Sequence, residues 1–194
     1  MLTGNQNAPF WNHNSAFYPE IVRAMPRDGA RTLDVGCGTG ALLGQLLSRS
    51  DDLWGIDPDP VALASAAQHA TTLHGDFLTM ELPTFDYIVA VASLHHMDTT
   101  AALTKMMGLL NDGGKVYILG LHRIATPLDW TLAVLGWLPE TIETAVRGKS
   151  DPPVAMTDPI ESYAEIKRQA ERVLPGARIR RRRHYRYSIE WDKL

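Results

Sequence analysis

The segment Leu33-Asp34-Val35-Gly36-Cys37-Gly38-Thr39-Gly40 constrains the fold more than any other stretch of the chain. A short apolar strand, Arg31 to Val35, runs straight into glycines at alternate positions. Leu42, Leu43, Leu46 and Leu47 then recur at helical spacing and form the expected buried face of a helix. Glycines at such a turn let the backbone approach a ligand closely. The helix behind them offers N–H groups that have no partner within the helix. A strand, a glycine loop and a helix in that order open a parallel α/β sheet with a ligand at its edge.

The alternation continues along the chain. Leu53 to Ile56 reads as a second strand that stops at Asp57, and Asp59 and Pro60 read as the N-cap and first residue of a helix through Ala70. Thr71 to His74 is a third strand. Phe85 to Val91 is a fourth, apolar on both faces as a central parallel strand must be. A helix over Thr99 to Leu110, a turn at Asn111 to Gly114 and a fifth strand, Lys115 to Leu121, follow. Ahead of the sheet, Ser15 to Met25 reads as a helix with Phe17, Ile21, Val22 and Met25 on one side.

After His122 the rhythm breaks. Residues 123–157 hold Pro127, Pro139, Pro152 and Pro153 around an apolar stretch with Trp130 and Trp137, and read as a lid-like insertion over the ligand side. A helix from Ile160 to Leu174 and two strands near 177–184 and 186–192 close the chain. The expected architecture is one α/β domain with a doubly wound, mostly parallel seven-stranded sheet, helices on both faces and an antiparallel last strand. Residues 1–28 form its N-terminal cap region.

The glycine loop alone signals only a nucleotide-type ligand, and it even satisfies the dinucleotide pattern through Gly36, Gly38, Ala41 and Asp57. Asp34 separates the readings. A dinucleotide sets its pyrophosphate against this loop, where the Asp34 carboxylate repels it. S-adenosylmethionine has no phosphate and carries a sulfonium and an ammonium, which the same carboxylate favours. The charge argument selects the methyl donor.

At this point the chain resembles the class I S-adenosylmethionine-dependent methyltransferases, in particular their small-molecule branch. Asp34 to Gly40 looks like the family's first motif, Gly55-Ile56-Asp57-Pro58 its second, and His74-Gly75-Asp76-Phe77 its adenine segment. Phe85 to Val89 through Ser93-Leu94-His95-His96 resembles the fourth-strand motif, and Leu109 to Gly114 the turn into the fifth strand. The likeness covers about 30–122 with normal spacing. It implies cofactor contacts at Asp34, Gly36, Cys37, Gly38, Asp57, Pro58, Asp76, Phe77 and Ala92. Asp57 then holds the ribose hydroxyls, and Asp76 the adenine amino group. Cys37 reads as a small packing residue and not a nucleophile. The N-terminal helix of such proteins folds over the cofactor, which makes Tyr18 and His13 contacts to cofactor or substrate. His96, beside His95 after the fourth strand, is the expected base or substrate contact, with His13 as second candidate.

Composition narrows the partner. Net charge is −3, so the whole chain offers no pull toward nucleic acid or an anionic membrane. The lone cysteine, Cys37, permits no internal disulfide, and no signal segment is visible, so a cytoplasmic setting is expected. The most apolar stretch, Leu128 to Leu138, is far shorter than the ~18 residues a membrane span needs. Arg180-Arg181-Arg182-Arg183 is the one feature that suggests nucleic acid, but in a strand these residues split between two faces and guard a sheet edge. Replacing Arg181 and Arg183 with glutamine is therefore expected to leave turnover nearly unchanged. The fourth strand runs into Ala92-Ser93-Leu94-His95 and lacks the Asn/Asp-Pro-Pro-aromatic sequence that relatives use to cradle planar amino groups. No metal ligand set is expected. The function read here is methyl transfer to a small, partly apolar acceptor. A cofactor-binding domain without transfer and a nucleic-acid methyltransferase are the alternatives.

Overall fold

The computed structural model describes residues 14–126, 129, 131, 158–183 and 185–194. Its strands are β1 (Thr32–Val35), β2 (Leu53–Asp57), β3 (Thr71–His74), β4 (Phe85–Val91), β5 (Leu110–Leu121), β6 (Arg178–Arg182) and β7 (Arg186–Asp192). They form one seven-stranded sheet in the order β3-β2-β1-β4-β5-β7-β6. β1 to β5 pair in parallel, and β7 lies antiparallel between β5 and β6. This is the expected doubly wound architecture.

The helices are α1 (Tyr18–Ala24), α2 (Ala41–Leu46), α3 (Pro60–Ala66), α4 (Thr99–Leu109) and α5 (Tyr163–Val173). β4 shows why both sheet faces need cover. Tyr87 and Val89 enter one core with Ile21 of α1, Leu43 and Leu46 of α2 and Leu63 of α3. Ile88 and Ala90 enter the other with Leu103 and Met106 of α4 and Ile166 of α5. The two-residue period of a strand produces this division. Each fully buried leucine contributes ~1.5–3 kcal/mol.

Element ends follow their caps. Asp59 accepts hydrogen bonds from the N–H groups of Val61 at 2.8 Å and Ala62 at 3.3 Å, so it caps α3 as expected. That helix stops at Ala66 and not Ala70. Ser162 and Glu165 form a reciprocal capping box, which starts α5 at Tyr163 and not Ile160. The N-terminal helix begins as a 3-10 turn at Ser15–Phe17 before Pro19 opens α1. Leu47, expected on the buried face of α2, is 46% exposed because the helix ends before it. β5 starts at Leu110, which pairs with Phe85; an irregularity then carries Asn111 to Gly114 outward before Lys115 pairs with Tyr87. His13 and most of the 123–157 insertion lie outside the described residues.

The arginine run divides at the exposed edge of the sheet, on β6. Arg182 donates to Ser188 Oγ at 2.9 Å and pairs with Glu20 of α1, which also accepts from the Tyr117 hydroxyl at 2.9 Å. Arg181 pairs with buried Asp129 and stacks over the Tyr163 ring, 4.1 Å from its centroid. Burial pushes the Asp129 carboxyl up, but hydrogen bonds from Thr126, Ala125 and Arg181 outweigh this and bring it to about 2. Arg183 is exposed. Loss of Arg181, unlike loss of Arg183, leaves a buried carboxylate short of its charge partner. Arg181 is thus tied into the fold, whereas Arg183 is exposed.

α1 is fastened to the sheet by the buried Tyr87 hydroxyl, which donates to the Ile21 carbonyl at 2.7 Å. Tyr87→Phe removes the donor and leaves that carbonyl buried without it. Urea unfolding should show a loss of ~1–2 kcal/mol, and the melting temperature should fall by roughly 2–6 °C.

Candidate functional site

The site grows from the C-terminal end of β1. Val35 is followed by a loop whose Gly36 and Cys37 N–H groups both donate to the Ile56 carbonyl, at 2.8 and 3.2 Å. The Gly38 N–H donates to Asp57 Oδ2 at 2.8 Å, and the Asp59 N–H to Asp57 Oδ1 at 2.9 Å. Asp57 thus clips the β1 loop to the end of β2, while Asp59 caps the helix. Gly36 has φ +73°, and a Cβ there would fall 2.3 Å from Ser93 Cβ. Ser93 in turn donates to the Val35 carbonyl at 2.5 Å, so the loops after β1 and β4 are locked together. Gly38 has φ +52° with nothing within 4 Å of its Cβ position. Its backbone faces open space on the ligand side.

Asp34 is only 2% exposed, and among the described residues its Oδ1 has no hydrogen-bond partner. Burial, with a further contribution from Asp57, pushes its carboxyl up to about 7. A buried carboxylate oxygen without a donor is rare in native folds and suits a cationic ligand group brought to it. Burial and then Asp34 hold the Tyr18 phenol well above its ordinary range, so Tyr18 stands near that carboxylate. Cys37 packs where a Cβ on Gly55 would fall 2.7 Å from its sulfur. Burial, then Asp34 and Asp57, push its thiol up, which agrees with a packing role.

The other expected cofactor residues gather on the same edge. Asp76 is exposed, its Oδ1 accepts from the Leu78 N–H at 2.9 Å, and the neighbouring Phe77 ring is buried. Pro58 is exposed, and its carbonyl lies 3.1 Å from His74 Nε2. The Gly75 N–H donates to the Asp57 carbonyl at 3.1 Å, which ties the β2 and β3 ends together. Ala92 has φ +53°, an uncommon conformation for a residue with a side chain, and its N–H donates to the Leu119 carbonyl at 2.7 Å. The structure therefore brings Asp34, Gly36, Cys37, Gly38, Asp57, Asp76 and Ala92 to one edge of the sheet.

His95 and His96 follow in a 3-10 turn with ring centroids 4.0 Å apart. His96 is exposed, whereas His95 borders a cavity of about 210 Å³ together with Asp98, Leu121, Glu161, Ile166 and Tyr187. The cavity opens at the ends of β4 and β5, next to the edge that carries the glycine loop. Two of its lining groups went unrecognised in the sequence. Tyr187 reads there as an ordinary strand aromatic, and Glu161 as a residue at a helix start. Thr126-x-x-Asp129 was also missed, although Ser/Thr followed three residues later by an acid is a helix-start pattern.

An open α/β sheet of this order, with an acidic glycine loop where the strand order reverses, defines the Rossmann-like methyltransferase class. A family profile described as a methyltransferase domain matches residues 32–114. A Mycobacterium tuberculosis protein named as an uncharacterized methyltransferase is 33% identical over 93% of this chain and 96% of its own length. A ubiquinone biosynthesis O-methyltransferase of Methylocella silvestris is 31% identical over 59% of this chain, which spans about half of that protein (50%). A methyltransferase structure from Aquifex aeolicus superposes with a TM-score of 0.62 at 16% identity, covering 91% of this chain and 89% of that one. The chain belongs to the class I S-adenosylmethionine-dependent methyltransferase family.

The raised Asp34 pKa has a signed consequence. A carboxyl whose folded pKa lies above its unfolded value stabilises the fold at low pH and loses that contribution as pH rises through the folded value. Relative to Asp34→Asn, the ligand-free protein should lose stability between pH 4 and 7, by at most ~4 kcal/mol. Urea unfolding of both proteins across that range measures the difference. A pH-independent difference would show that Asp34 titrates normally.

Proposed function

We propose that this protein transfers a methyl group from S-adenosylmethionine to a small-molecule acceptor in the cytoplasm. The observation that carries the reading is the unpartnered Asp34 oxygen beneath an open glycine loop, with Asp57 beside it. When bound, the cofactor supplies an already activated methyl group. The chain's own residues then have to position and enclose. Asp34 meets the positive end of the ligand. Asp57 keeps unused lone pairs, which can accept the ribose hydroxyls while its backbone bonds hold the loop. Asp76 and the Phe77 N–H take the adenine edge, with Asp76 already oriented by the Leu78 N–H. Gly38 permits close approach, and Tyr18, with Pro58 and Ala92, closes the sides.

The acceptor side supports a small molecule. A cavity of about 210 Å³ stands at the neighbouring strand ends, and the Methylocella relative is named for ubiquinone biosynthesis. Arg181 and Arg182, which a nucleic-acid reading would need free, are paired with Asp129 and Glu20. Proximity and alignment do most of the work in such a transfer. A base matters only if the acceptor must lose a proton, and then adds a factor of about 10²–10⁴. Of the two candidate imidazoles, His95 borders the cavity and is the better placed.

Asp57→Ala should weaken S-adenosylhomocysteine binding at least about tenfold, because each charge-assisted bond to ribose contributes ~1.5–3 kcal/mol. Calorimetry beside a circular dichroism check of the fold gives the answer, and an unchanged dissociation constant would reduce Asp57 to a loop clip. Incubation with labelled methyl donor and fractionated cell extract should label the small-molecule fraction. Label in nucleic acid, with steep salt dependence, would reverse the acceptor reading. With the labelled fraction as substrate, His95→Gln should lower turnover far more than His96→Gln.

A further inference from the structure

The cavity beside His95 has a chemical character of its own. Its floor is Tyr187 of β7, which pairs with Gly120 of β5. A Cβ at Gly120 would stand 2.2 Å from both Cζ and the hydroxyl oxygen of Tyr187, so the ring lies flat on the bare glycine backbone. Any side chain at position 120 would expel it. Tyr187 is 1% exposed, yet its hydroxyl makes no hydrogen bond with a described residue. The phenols of Tyr87 and Tyr117, by contrast, both donate to protein oxygens. Burial and the nearby Glu161 also hold the Tyr187 phenol in the neutral, donating form.

The walls carry one sign of charge. Asp98 and Glu161 both line the cavity, and among the described residues no lysine or arginine does. Arg123 is close in sequence to the wall, but its guanidinium donates to the Ile160 carbonyl at 2.9 Å and faces Glu165 at 3.9 Å. The nearby N-termini of α4 and α5 are already served. Asp98 accepts from the Ala101 N–H at 2.7 Å, Ser162 caps Glu165, and Glu161 accepts from the Thr99 hydroxyl at 2.5 Å. Among the described residues, an anion entering here meets two carboxylates and no lysine or arginine. The remaining lining, including Met97, Leu121 and Ile166, is apolar.

We propose that this cavity is the acceptor subsite and that Tyr187, seated on Gly120, selects an uncharged single-ring group bearing a hydroxyl while Asp98 and Glu161 exclude carboxylates. The inference rests on the methyltransferase reading and names the acceptor class that goes with it. The size agrees, since an engineered apolar cavity of about 150 Å³ in another protein accepts benzene. The Tyr187 hydroxyl supplies a directional contact, and the carboxylates set the charge preference.

Ligand-observed NMR titrations of the full chain, saturated with S-adenosylhomocysteine, test this with phenol, cyclohexanol and benzoate as probes. Phenol and cyclohexanol should bind, and benzoate at least about tenfold more weakly, roughly the effect of one unfavourable charge contact. Tyr187→Phe keeps the ring on Gly120 and removes only the hydroxyl. It should weaken phenol about fivefold or more while leaving the melting temperature and S-adenosylhomocysteine affinity unchanged. Glu161→Gln should narrow the gap between benzoate and phenol. Benzoate binding as tightly as phenol, phenol affinity indifferent to Tyr187→Phe, or no phenol binding at all would each overturn the proposal. None of these would touch the methyltransferase reading, which instead falls if S-adenosylhomocysteine fails to bind by calorimetry. In that event the same titrations on the ligand-free protein still decide the character of the cavity.

Discussion

The site depends on how β1 is held between β2 and β4, with the loop that leaves it pinned to both. Asp57 takes the Gly38 N–H on the β2 side. Ser93 fills the space above Gly36 on the β4 side and donates to Val35. These contacts leave the loop little freedom, so the backbone at Gly38 is presented to ligand in one shape. Strand order reverses at β1, and in open α/β sheets that reversal is where a crevice must form. The polar groups of the site stand there because both faces of the sheet are already filled by apolar helices.

Charge is then distributed by edge. The ligand edge carries Asp34, Asp57, Asp98 and Glu161, with Asp34 so deeply buried that its charged form is disfavoured. The far edge of the sheet carries the arginines of β6, of which Arg181 and Arg182 are neutralised by Asp129 and Glu20. Those two pairs also tie distant segments to β6: Glu20 belongs to α1, which packs beside the glycine loop, and Asp129 to the segment after β5. Arg181 and Arg182 therefore join β6 to α1 and to the segment after β5, while Arg180 and Arg183 are exposed.

Strength and freedom are balanced differently at the glycine loop and at the cavity beside His95. On the cofactor side, backbone bonds from the β1, β2 and β3 ends converge on Asp57 and its neighbours, and the geometry is overdetermined. At the cavity beside His95, the lining comes from side chains on separate elements: His95 after β4, Glu161 ahead of α5 and Tyr187 on β7. Such an arrangement can change its preference by single substitutions without disturbing the loop that binds the cofactor.

Much of this was legible in the linear chain. β3, β4 and β7 match their expected bounds; for β4 the reason is an unbroken apolar run that both faces of a parallel sheet must cover. The glycine loop with Asp34, Asp57 and Asp76 was readable because backbone approach and charge act over a few consecutive residues. Element ends that depend on capping geometry, such as the start of α5 at Tyr163, were not. Nor was it legible which of His95 and His96 borders the cavity, since that follows from how the turn after β4 packs beside β5 and α4. The sequence by itself determined the fold class, the ligand edge and the type of cofactor, all of which rest on local periodicity and local charge. The tertiary structure alone decided that Tyr187 lies on Gly120, that Glu161 faces the same space and that Arg181 answers Asp129. Each of these joins residues far apart in the chain, and no local pattern records a contact that exists only once the sheet has closed.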